Sequence, residues 1–290
     1  MKNNSRRLFN SWLILFVGML AACVDGDGGT SASASPPALT LTPTPTATTA
    51  WIPTVADTWQ WQLLGVVNTK YEVAMYDIDL FVTPQDTINL LKSQGKRVVC
   101  YFSAGSYENF RPDSNRFVAA EIGNQLAPPF SDERWLDTRS VNVRNIIKSR
   151  LDLAVAKGCD GVDPDNVDGY TNMPGFSLSA TTQIDYNVFL ATEAKARGLK
   201  VGLKNDTDQL AQLEPYFDFA VNEQCHAFNE CSGYSVFTSK DKPVFNAEYK
   251  NDYVVNASNR AAMCDQARTS KLRTLVLPIK LDDSLRFSCD

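Results

Sequence analysis

Histidine is nearly absent: the 290 residues include one, His226. A metal site built on two or three histidines is therefore excluded, and a Ser-His-Asp triad would have to use this single imidazole beside Cys225. No Cys-x-x-Cys pair occurs, and no Gly-x-Gly-x-x-Gly follows an apolar strand. Zinc-ribbon, thiol-redox and dinucleotide sites lose their usual signatures; no metal and no cofactor is expected. Positive charge is also short, with 28 Lys and Arg against 33 Asp and Glu. Nucleic acid is not an expected partner, whereas a cationic ligand is favoured. No apolar run is long enough for a permanent membrane span; the best, residues 8–19, is too short.

That run follows Lys2, Arg6 and Arg7 and ends at Leu20-Ala21-Ala22-Cys23. The arrangement resembles a bacterial lipoprotein signal, which implies cleavage after residue 22 and lipidation of Cys23. Losing the three basic groups moves the formal charge from −5 to −8. Residues 23–55 are dominated by Ser, Thr, Ala, Pro and Gly and read as a tether that buries too little to fold. Residues 56–290 form one globular domain, a monomer held at the envelope by its lipid, on the periplasmic or cell-surface side. Export makes disulfides expected. Cys225–Cys231 and Cys264–Cys289 are the natural pairs, with Cys100 and Cys159 either a third pair or buried thiols.

Eight strand-like runs fall at residues 59–63, 72–77, 97–103, 158–165, 200–204, 217–223, 243–248 and 274–279. Helical periodicity lies between most of them, at 84–94, 143–157, 181–197, 208–216 and 257–270, with Gly95, Gly158 and Gly198 as stops. The first connection is too short for a full helix. Strands alternating with helices predict an α/β domain, and eight of them a single (β/α)8 TIM barrel. The long connection at 105–140 is placed beside the barrel mouth.

Polar residues collect where the strands end: Tyr76-Asp77-Ile78-Asp79, Tyr101-Phe102-Ser103, Asp163-Pro164-Asp165-Asn166, Lys204-Asn205-Asp206, Glu223-Gln224 and Glu248-Tyr249. In a barrel this is the face that carries chemistry. Asp163 and Asp165 are two apart, so a strand turns both to one face. Several carboxylates at one mouth fit two-acid glycoside hydrolysis better than any histidine or metal chemistry. Asp165, nearer the strand end, and Glu223, the last inward position before a cysteine loop, are the candidate catalytic pair. Asp163 is deeper and reads as support. Asp77 or Asp79 is a candidate for binding an ammonium, and Lys204 for holding the acids. Trp59, Tyr76, Tyr101, Tyr107 and Tyr249 are candidate stacking groups. Ser103, Asn166, Asn205, Gln224 and Glu248 complete the candidate binding set.

The same segments apart from Glu248-Tyr249, with Trp59-Gln60-Trp61-Gln62-Leu63, Trp135-Leu136-Asp137 and Gly158-Cys159-Asp160-Gly161-Val162 added, resemble glycoside hydrolase family 114 from about Trp59 to Lys280. The resemblance implies a TIM-barrel endo-α-1,4-polygalactosaminidase acting on partly de-N-acetylated, galactosamine-rich exopolysaccharide, with the catalytic pair on Asp165 and Glu223. Retention is the expected outcome. The competing readings are a non-catalytic glycan-binding lipoprotein on the same barrel, a glycosidase for another polysaccharide, and a structural envelope lipoprotein. Mass spectrometry of the mature protein is expected to find a diacylglyceryl group on an N-terminal Cys23; an unmodified start elsewhere rules the anchor out.

Overall fold

The computed structural model describes residues 51–290. Residues 1–22, Cys23 and most of the tether lie outside the described residues. The strands, in chain order, are β1 (Trp59–Gln62), β2 (Met75–Asp79), β3 (Arg97–Ser103), β4 (Ser106–Glu108), β5 (Ile122–Gln125), β6 (Glu133–Leu136), β7 (Gly161–Asp165), β8 (Lys200–Lys204), β9 (Phe219–Glu223), β10 (Val244–Glu248), β11 (Leu272–Val276) and β12 (Phe287–Ser288). The helices are α1 (Gln85–Ser93), α2 (Val141–Lys157), α3 (Ala180–Ala196), α4 (Leu210–Leu213), α5 (Cys225–Phe228), α6 (Ser235–Thr238), α7 (Asn251–Val255) and α8 (Ala257–Thr269).

Eight strands run parallel in the order β1-β2-β3-β7-β8-β9-β10-β11 and curl into a barrel-like sheet. Closure differs from the expected barrel. Among the described residues no backbone ladder joins β11 to β1; the tail strand β12 pairs antiparallel with β11 instead. Side chains bridge the seam. The Trp59 indole donates to the Arg273 carbonyl at 2.8 Å, and Arg286, just before β12, donates to the Trp59 carbonyl at 3.0 Å and to Gln60 Oε1 at 2.6 Å.

Strand alternation sorts the core into two shells. Inward positions 59, 61, 75, 99, 101, 219, 221, 245 and 247 form an apolar plug rich in aromatics. Outward positions such as Tyr76, Ile78, Val98, Phe102, Val162, Val201 and Leu203 pack against the helices. Gly202 is required by this plug: a Cβ there would sit 2.4 Å from the Phe219 ring. The plug fills the lower barrel and leaves polar side chains to the upper layers.

Helix ends follow local chemistry. The Ser140 hydroxyl accepts from the amides of Asn142 and Val143 to start α2, and Gly158, at φ +79°, stops it. The predicted helix at 208–216 is instead α4 flanked by two 3₁₀ turns, because Pro215 breaks the run. The 105–140 connection is a small antiparallel sheet, in the order β4-β6-β5, rather than a loop. Buried Arg111 ties it to the barrel through ion pairs at 2.7 Å to both Asp79 and Glu108.

The base of the barrel fastens both ends of the domain. Trp51 is buried against Phe219, so the packed chain starts before residue 56. Arg273 donates to the Val55 carbonyl at 2.6 Å and pairs with Asp290 at 2.9 Å.

The disulfides are Cys100–Cys159, Cys225–Cys231 and Cys264–Cys289. The first ties β3 to the turn before β7 across 59 residues, so it restricts the unfolded chain most. Replacing Cys100 and Cys159 together by Ser is expected to lower unfolding free energy by about 2–4 kcal/mol, read as a lower denaturant midpoint.

Candidate active site

The centre of the mouth is Lys204 at the end of β8. It is 1% exposed. Its Nζ lies 3.0 Å from Asp165 Oδ1 and 3.3 Å from Glu223 Oε2. The Trp61 ring is 4.6 Å below it and the Tyr101 ring 5.5 Å away. Burial alone would lower the basicity of this ammonium. Asp165, Glu223 and Asp163 more than reverse that, and the net shift is upward.

Two further acids stand one layer down. Asp163 and Asp77 are both fully buried, on β7 and β2, and neither meets a nitrogen donor. Burial pushes Asp77 well above the usual carboxylate range, and the neighbouring Asp163 adds to the rise. Burial lifts Asp163 to about 7 even though Lys204 pulls it down. One proton, held on Asp77 and donated to Asp163, accounts for both acids.

The two upper acids are each held by a tyrosine. Tyr101 donates to Asp165 Oδ2 at 2.8 Å, and Tyr249 donates to Glu223 Oε1 at 2.6 Å. Burial first, then the adjacent carboxylate, raises both phenols, so they remain donors. The Asn166 amide donates to Asp165 Oδ1 at 2.7 Å, and Asn205 Oδ1 accepts from the Glu223 amide at 3.0 Å. Asn166, Asn205, Asp206 and Gln224 all have positive φ, between 47° and 64°. Left-handed backbone therefore recurs at three successive strand exits, where it turns the chain sharply around the acids. Distances of 3.0 and 3.3 Å from one Nζ put Asp165 Oδ1 and Glu223 Oε2 at most 6.3 Å apart. Such a pair suits acid-assisted cleavage of a glycosidic bond.

The model of glycoside-hydrolase family GH114 matches residues 40–290. The chain belongs to glycoside-hydrolase family GH114. As a GH114 member it is a glycoside hydrolase. It is similar to Aspergillus fumigatus Ega3, solved as a complex with galactosamine: identity is 43%, TM-score 0.78, with 83% of this chain and 98% of that one covered. The glycoside hydrolase domain of PelA from Pseudomonas aeruginosa shares the fold at 13% identity and a TM-score of 0.62, covering 80% of this chain and 98% of that one. Eubacterium rectale Amy13B shares it more loosely, at 11% identity and a TM-score of 0.52, with coverages of 76% and 65%. No curated protein sequence matches the chain.

In this GH114 enzyme several residues expected at the substrate are elsewhere. Trp59 lies in the aromatic plug, with its indole bound to the Arg273 carbonyl. Tyr76 faces outward and shares hydrogen bonds with the Tyr71 backbone. Asp77 is sealed below Asp163, out of reach of an ammonium. Asp79 is spent on Arg111 and on the amides of Phe81 and Val82. Glu248 is fully buried and accepts from the amides of His226 and Ala227 at the start of α5. Ser103 is buried too, in a hydroxyl chain that runs from Asn166 Nδ2 through the Ser103 and Ser106 hydroxyls to Glu133. Lys204, Asp165, Glu223, Tyr101, Tyr249, Asn166 and Asn205 do converge, and Gln224 sits at the turn beyond Glu223.

Sequence reasoning missed Glu133, which the inserted sheet delivers to this wall; burial raises it to about 7. It counted Asp206 among the polar strand ends without giving it a role, and gave none to Asp168, three residues past Asp165. Burial raises Asp168 to about 6 and Asp206 to about 7, each acid adding to the rise of the other or of its neighbours. His226 is half-buried, and burial lowers its basicity.

Asp168, Asp206 and Glu133 thus bind protons more tightly folded than unfolded, where such groups titrate near pH 4. Their stabilisation is complete below that pH and is lost as pH rises through about 6 to 7. The urea midpoint is expected to be higher at pH 5 than at pH 8, by the equivalent of more than about 1 kcal/mol. A midpoint that is flat or higher at pH 8 refutes these protonation states.

Proposed function

We propose that this enzyme hydrolyses α-1,4-linked, galactosamine-rich, partly de-N-acetylated polysaccharide with retention of configuration. The observation that carries the reading is the shared Lys204, which holds Asp165 and Glu223 oxygens within 6.3 Å of each other. Carboxyl groups about 5–5.5 Å apart act by double displacement, while about 6.5–9.5 Å leaves room for water and inversion. Similarity to the galactosamine-bound Ega3 supports the choice of sugar. The curled sheet is read as the (β/α)8 TIM-barrel plan, and the enzyme as a monomer anchored through Cys23 to the bacterial envelope, outside the cytoplasm.

Asp165 is the nucleophile. Its Oδ1 is fixed by Lys204 and the Asn166 amide and its Oδ2 by Tyr101, so the carboxylate is oriented before substrate arrives. Glu223 protonates the leaving oxygen. Once Asp165 is esterified its charge is gone, and Glu223 becomes the remaining upper counter-ion of Lys204. That suits the ionised Glu223 which takes a proton from water in the second step. Tyr249 keeps the Glu223 carboxyl in place through both steps.

Incubation with partly de-N-acetylated α-1,4-galactosamine polymer is expected to release short oligosaccharides, seen by mass spectrometry. The first-formed reducing ends should be α by NMR. Asp165→Asn and Glu223→Gln should each cut kcat at least about 10³-fold while keeping the wild-type thermal transition. β-Anomers formed first, or near-normal turnover in either variant, would overturn the mechanism.

A further inference from the structure

Beside Glu223 the mouth opens into a side cavity of about 340 Å³. Asp168, Asp206, Asp208, Glu223 and Glu230 line it, and no lysine or arginine does. Phe228 of α5 stands at its wall with 61% of its surface exposed. Asp206 is the informative residue. It is 2% exposed, and its Oδ2 accepts from Asn187 at 2.9 Å. Its Oδ1, beside the Tyr170 hydroxyl, makes no well-formed hydrogen bond. Burying an acid so close to Asp168 without a cation is costly. The nearest ammonium, Lys204, is already committed to Asp165 and Glu223.

These features call for a ligand with a positive charge and an apolar face, which describes an amino sugar. An acetamido group at the same place would bring bulk and no charge. The side of the mouth follows from Glu223. An acid that protonates the leaving oxygen stands next to the leaving sugar, so the cavity beyond it receives that sugar.

We propose that this cavity is the subsite for the leaving-side glycosyl unit and that it selects a unit with a free amine. The ammonium is taken by Asp168, Asp206 and Asp208, and the sugar ring lies against Phe228. The inference rests on the proposed function, since it uses Glu223 as the acid. It adds a rule for where the chain is cut: at bonds whose leaving-side unit is galactosamine rather than N-acetylgalactosamine.

The rule is legible in the products, because the leaving-side unit becomes the new non-reducing end. Full-length enzyme is given a randomly, half-acetylated α-1,4-galactosamine polymer, and product ends are sequenced by mass spectrometry. Wild type is expected to give non-reducing ends that are mostly galactosamine. An Asp168→Asn/Asp208→Asn variant should shift those ends toward the polymer's own acetylation level. It should also raise KM on fully de-N-acetylated oligomers about tenfold, the factor that corresponds to ~1.4 kcal/mol, with kcat falling far less. A merely structural role would lower kcat and leave the end composition alone. Random ends from wild type, or an unchanged bias in the variant, overturn the subsite while leaving the hydrolase reading intact. A polymer that wild type does not cut overturns both.

Discussion

Everything at the mouth depends on one buried ammonium. Removing Lys204 from water costs several kcal/mol unless charge and hydrogen bonds replace the lost solvent. Asp165 and Glu223 supply the charge from above, and Trp61 and Tyr101 present their ring faces. Asp163 approaches from below and would add too much negative charge if it and Asp77 were both ionised; a proton on Asp77 limits that excess. The two upper carboxylates are thereby fixed relative to one cation rather than to each other, which lets two negative groups stand close enough for shared chemistry.

The scaffold serves this arrangement by filling the lower barrel. Phe219, Phe245, Trp59 and Trp61 leave no polar layer beneath Asp77, so the titratable groups are displaced upward and water reaches them from one end. The rim is uneven. On the β3–β7 side the inserted sheet builds a wall and adds Glu133 through the Ser103–Ser106 hydroxyls. On the β8–β9 side no such wall stands, and the acidic cavity opens there. A substrate in the mouth therefore meets two different surfaces on its two sides.

Much of this was legible in the sequence because parallel strands read as short apolar runs bounded by glycines. All eight appear where expected, within three residues at each end, and Asp165, Glu223 and Lys204 follow from strand parity plus position at a strand end. Parity also held a warning that went unused: Tyr76 and Asp77 are adjacent, so they cannot both face inward, and Tyr76 packs outside. Depth is what periodicity lacks. Asp77, Asp79 and Asp165 share an inward parity, yet one is sealed, one is bound to Arg111 and one is at the mouth. The partner that decides for Asp79, Arg111, lies in the irregular chain between β4 and β5 of the inserted segment, whose three- and four-residue strands show no alternation. The added edge strand β12, which pairs with β11 where β1 was expected, was hidden for the same reason, since a two-residue strand leaves no pattern.

Arg273 gathers the Val55 carbonyl and the Asp290 carboxylate at the base of the barrel. Both ends of the packed chain therefore meet at the pole opposite the acids. The packed chain thus enters and leaves on the side away from the mouth, so neither of its ends, Trp51 or Asp290, crosses the opening.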